Sequence, residues 1–121
     1  MKLLITLLII SVICVSCTSA AKSPGQVVAS ENHFDNGVKQ YEKGHIEQAT
    51  HQFEKAIEKN PGNYKAYFYL GLCSKQQGAI KTANKHFQKA IDLNPDDEKW
   101  IIKVEAQMGT GGSKKDKKNE K

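Results

Sequence analysis

Arginine is absent from this chain of 121 residues, so its 18 basic side chains are all lysines. That removes the planar group best suited to bidentate phosphate or guanine contacts, and it argues against a reader of nucleic-acid sequence. Cysteine is scarce as well: Cys14-Val15-Ser16-Cys17 is the single Cys-x-x-Cys spacing, it falls at the end of the apolar N-terminal run, and Cys73 offers no second pair to complete a ligand set. His33, His45, His51 and His86 are dispersed without a His-x-x-x-His pair, so no metal site is expected. A glycine-rich phosphate loop and a nucleophile elbow are missing too. The carboxylates alternate with lysines, as in Glu54-Lys55 and Glu58-Lys59, which is the habit of a solvated helix face. Neither an enzyme nor a cofactor is expected.

The formal net charge is +5, and it comes from the flanks. Residues 30–108 hold 11 lysines and 11 acidic residues, whereas Lys2, Lys22 and five lysines after Ser113 supply the excess. Gly109 to Lys121 is low in complexity and reads as a disordered, solvating tail, with attraction to anionic lipid or polymer as the alternative.

What the chain does have is a repeat. Laying residues 30–63 over residues 64–97 gives 11 identities in one register: Phe34/Phe68, Gly37/Gly71, Gly44/Gly78, Ile46/Ile80, Ala49/Ala83, Phe53/Phe87, Lys55/Lys89, Ala56/Ala90, Ile57/Ile91, Asn60/Asn94 and Pro61/Pro95. A period of 34 residues indicates a stacked helical hairpin. Gly44 and Gly78 stand where a first helix should close, because glycine tolerates the left-handed conformation. Ala49, Phe53, Ala56 and Ile57, repeated as Ala83, Phe87, Ala90 and Ile91, fall on one face of a second helix. The alanines let the paired helix approach and the phenylalanine fills the hollow. Asn60-Pro61 and Asn94-Pro95 end that helix, since proline lacks the amide donor.

Tyr67, Leu70-Gly71, Gly78, Ala83, Phe87, Ala90 and Pro95 stand where the tetratricopeptide repeat (TPR) family places its residues, and the chain resembles that family over about residues 30–108. Residues 30–63 keep Gly37, Ala49, Phe53, Ala56 and Pro61, but put His33 and Asn36 where an aromatic and a leucine are expected. The first helix is thus short of apolar anchors and is expected to fray, or to be covered by Val27 and Val28 or by a partner. The reading is all-α: two hairpins (30–63 and 64–97) and a capping helix over 98–108, with Ile101, Val104 and Met108 turned onto the second hairpin. Trp100 reads as a packing residue of that cap, with an exposed contact as the alternative, and Cys73 as a small buried hydrophobe. So short an array is near the lower limit for independent stability.

The N-terminus carries Met1-Lys2 and then apolar and small residues from Leu3 to Val15, too few to span a bilayer comfortably. Residues 1–16 resemble a bacterial lipoprotein signal, which implies cleavage before Cys17 and acylation of that cysteine. Cys14 departs from the aliphatic residue usual at its place. The alternative is secretory cleavage after Ala20 or Ala21, giving a free secreted or periplasmic domain. Residues 17–29 then read as the lipidated cysteine and a tether, given Pro24, Gly25 and no helical periodicity. The expected place is the cell envelope, on the outer membrane facing the periplasm where two membranes exist.

In the TPR family the first helix of each hairpin lines a concave groove. By that resemblance the groove residues are Phe34, Val38 and Tyr41 in the first hairpin, and Lys65, Phe68, Tyr69, Leu72 and Lys75 in the second, positions that the family's internal packing does not use; burial of Phe34 and Phe68 by neighbouring helices or in a homodimer is the alternative. Apolar residues where some members clamp a terminal carboxylate favour an apolar peptide or helix, flanked by charges that pair with Lys65 or Lys75. The expected function is an envelope scaffold that binds another protein. A structural homo-oligomer, in which a second copy fills the groove, is the alternative.

Overall fold

The computed structural model describes residues 23–109, and within them the chain is helical with no strand. Residues 1–22, which hold the expected leader and Cys17, and the lysine-rich residues from 110 onward lie outside the described residues. The helices are α1 (Pro24–Glu42), α2 (Ile46–Lys59), α3 (Tyr64–Gln76), α4 (Ile80–Asp92) and α5 (Glu98–Glu105). α1 pairs with α2 and α3 with α4, while α2 packs on α3 and α5 on α4. The all-α architecture of two hairpins and a cap is therefore as expected.

The turns repeat as the sequence does. Gly44 and Gly78 adopt φ of +78° and +79°, where a side chain would be strained. The amides of Gly44 and His45 donate to Tyr41 and Gln40, and those of Gly78 and Ala79 to Lys75 and Ser74, the same closure one repeat later. Asn63 and Asp97 likewise correspond. Their side chains accept from the amides of Ala66 and Trp100 and so start α3 and α5 alike.

Two clusters form the core. Ala49, Phe53 and Ala56 of α2 meet Ala66, Leu70 and Cys73 of α3. Ala83, Phe87 and Ala90 of α4 meet Phe68 of α3 and Val104 of α5. Each hairpin closes through a glycine: a Cβ at Gly37 would lie 2.6 Å from Cε1 of Phe53, and one at Gly71 would collide with Phe87 in the same way.

Three boundaries differ from expectation. The supposed tether is helical from Pro24, because proline at the first helical position fixes φ and gives up no useful donor. Ser30 anchors that extension: it is fully buried, its Oγ donates to the Ala56 carbonyl at 2.8 Å, and it accepts from Asn63 Nδ2 at 3.1 Å. Val27 and Val28 do not cover the first hairpin, being 37% and 60% exposed. The cap helix ends at Glu105 rather than at 108, although Met108 still packs on the second cluster.

The polar substitutions in the first repeat have a positional cause. On α3, Ala66, Leu70 and Cys73 form the face that lies on α2. One repeat earlier, the same positions on α1 are Asn32, Asn36 and Lys39, all exposed. α1 is the first of the described helices, and its outer side is exposed, as at the end of a solenoid.

Candidate functional site

The face shared by α1, α3 and α5 is built from residues one repeat apart: Phe34, Phe68 and Ile102, then Val38, Leu72 and Ala106. The helices are linked across this face by rings. Tyr69 of α3 stacks on Phe53 at 5.2 Å and meets Phe34 and Tyr41 edge-on at 5.5 and 5.6 Å. Phe68 meets Trp100 of α5 at 5.2 Å, and the Lys103 ammonium sits 5.3 Å over the Phe68 ring. Trp100 also donates from Nε1 to the Ala90 carbonyl at 3.3 Å, so its role is packing. Gln76 Nε2 donates to the Tyr41 hydroxyl at 2.8 Å, and Lys75 Nζ to the Gln107 carbonyl at 3.0 Å.

The apolar members of the expected groove come together, and for Phe68 the buried reading holds. Phe68 is only 6% exposed and belongs to the second cluster. Phe34, Val38 and Tyr41 pack against the first cluster, Leu72 against the second, and Tyr69 against both. Their rings and branches fill the gap between neighbouring first helices, because α1 carries polar residues elsewhere and this side supplies its apolar contacts. Only Lys65 and Lys75 of the eight are exposed.

Ile102 was missed. It is 60% exposed at the α5 end of the row, and Lys103 stands beside it. Carrying the period one step beyond Phe68 finds it at once. The accessible face is therefore a shallow apolar row of half-buried side chains ending in an exposed isoleucine, edged by Glu42, Lys65 and Lys75.

Burial, followed by the nearby Glu42 carboxylate and Tyr41, pushes the Tyr69 phenol above its ordinary range, so it acts as a neutral aromatic surface. Burial likewise pushes the Cys73 thiol up, against a hydrogen bond with Thr50 that works the other way, which disfavours the reactive thiolate. Among the described residues no three His, Cys, Asp or Glu side chains lie close enough to hold a metal ion.

Stacked hairpins with matched caps and matched glycine contacts define a helical-repeat domain. The matching family model is that of Regulator of microtubule dynamics protein 1-3, over residues 37–109. That is more than half of the chain, and the chain belongs to this family. No curated protein matches it.

Proposed function

We propose that this chain is a membrane-anchored scaffold whose hairpins, of the tetratricopeptide kind, bind another protein along the α1/α3/α5 face. The observation that carries this reading is a face on which the apolar Val38 and Leu72 are partly accessible and Ile102 is exposed, edged by lysines. Such a row suits an apolar helix or extended segment with carboxylates at its margins. The domain contributes position rather than chemistry. The lipoprotein-like leader and Cys17 support an anchor in the cell envelope.

Crosslinking in cells, followed by mass spectrometry, tests the reading with Leu72→Lys and Ile102→Lys, both chosen because these residues are not fully buried. Loss of a discrete crosslinked protein, with the fold and mass of the chain unchanged, is expected. A second copy as the product crosslinked through this face would instead establish the homo-oligomer. Intact mass of the membrane fraction, with Cys17→Ser as control, tests the anchor. An unmodified mass starting after Ala20 or Ala21 would replace it with a secreted domain.

A second reading follows from the family, whose description speaks of regulating microtubule dynamics. Co-sedimentation of the purified chain with polymerised tubulin would establish it, and a chain left in the supernatant would remove it.

A further inference from the structure

The repeat domain is neutral in sum but not in distribution. From Tyr64 to Ile91 the second hairpin holds Lys65, Lys75, Lys81, Lys85 and Lys89 and no carboxylate; the exposed Asp92, three residues beyond Lys89, is the one acid of α4 and lies on the same side as its lysines. Three of these lie on α4 at intervals of four residues, Lys81, Lys85 and Lys89, and all three are exposed. Side chains so spaced form one stripe, opposite the buried Ala83, Phe87 and Ala90. The first hairpin has no such stripe. Its equivalents on α2 are Glu47, His51 and Lys55.

We infer that the α4 stripe is a second contact of this protein, an electrostatic one with an anionic lipid surface, which lays the domain against the membrane that the proposed anchor reaches. The inference rests on that anchored reading for its proximity. Six residues separate Cys17 from Pro24, a reach of about 20 Å when extended. A membrane is thus within the domain's own dimensions. The second hairpin also marks where further lysines begin. Gly109, the last residue described, is tied to α4 by two hydrogen bonds with Asn84, at 3.2 and 3.4 Å. The sequence beyond it continues to Lys114, Lys115, Lys117, Lys118 and Lys121.

A lipid surface fits the stripe better than a protein partner does. Protein interfaces are built on aromatic and arginine anchors and are depleted of lysine. The stripe has neither anchor, whereas clustered lysines suit a diffuse layer of negative headgroups. Its attraction falls off within a Debye length, so the domain must already be held close.

The test is amine footprinting of the full-length chain reconstituted in vesicles of neutral phosphatidylcholine, with or without added phosphatidylglycerol. Reactivity of Lys81, Lys85 and Lys89 is expected to fall by about tenfold in the anionic vesicles and to recover in high salt. Lys39, Lys43 and Lys55 of the first hairpin serve as internal references. Equal reactivity of the stripe in both vesicles overturns the inference, as does protection that appears only with single-stranded DNA or an acidic polypeptide. Failure of the chain to join either vesicle is a different result, and it removes the anchor rather than the stripe.

Discussion

Gly71 and Gly78 lie seven positions apart and do different work, which predicts two different costs for the same substitution. Gly71→Ala puts a methyl group into the ring of Phe87, a fully buried core residue with nowhere to retreat. Overpacking of this kind is expected to lower stability by about 2 kcal/mol, read from urea unfolding. Gly78→Ala meets no atom within 4 Å but must hold φ at +79°, for an expected loss of about 1 kcal/mol. A half-buried histidine gives a pH effect. His86 lies beside Tyr67, and desolvation lowers its pKa in the fold, against the opposing pull of Glu54. The unfolded chain therefore binds the proton more readily. His86 contributes fully above about pH 6.5 and loses that contribution as the pH falls through its lower folded value. His86→Gln is expected to flatten the acid side of the stability profile, measured by thermal unfolding at a series of pH values. An unchanged profile would show that the burial of this ring is energetically idle.

At the scale of elements, the hairpins were legible because glycine, alanine, phenylalanine and proline each recur for a physical reason. The start of α1 was not. Residues 24–29 present exposed valines and no apolar stripe, and the contact that fixes them, Ser30 with Ala56 and Asn63, is a polar network between distant residues. No periodicity announces such a bond. The expected fraying of α1 is consequently confined. The turns before Ser30 rest on little besides their own hydrogen bonds, whereas Phe34, Val38 and Tyr41 bind the rest of α1 to the first cluster. Hydrogen exchange should show fast amides at 27–29 and protection over 34–42 close to that of α4. Ser30→Ala strands the Asn63 side-chain amide, while the Ala56 carbonyl keeps the Asn60 amide, and it is expected to cost about 1–3 kcal/mol. The burial of Phe68 was left open for a related reason. A groove residue of the tetratricopeptide kind and a residue packed under the next helix have the same spacing, and α5, with Trp100 and Lys103, decides between them.

For the molecule as a whole, the two ends of the array settle what it can join. At the N-terminal end, Asn32, Asn36 and Lys39 stand on α1 where α3 carries Ala66, Leu70 and Cys73. A helix docking there as α2 docks on α3 would bury an amide and an ammonium without partners, at a cost of several kcal/mol. At the other end α5 covers α4, and Glu105 occupies the place of Gly37 and Gly71. A further second helix, which needs a glycine there to seat its phenylalanine, finds a carboxylate. Both ends thus resist extension, and the chain released from any anchor is expected to sediment as a monomer. Asn36→Leu with Lys39→Val supplies the missing apolar face, and it should turn that monomer into a concentration-dependent oligomer. Sedimentation velocity of the two proteins at matched concentrations decides the matter. Self-association of the unsubstituted chain would mean that a surface other than the array ends joins the copies, and the α1/α3/α5 face is where Ile102→Lys would then be expected to break it.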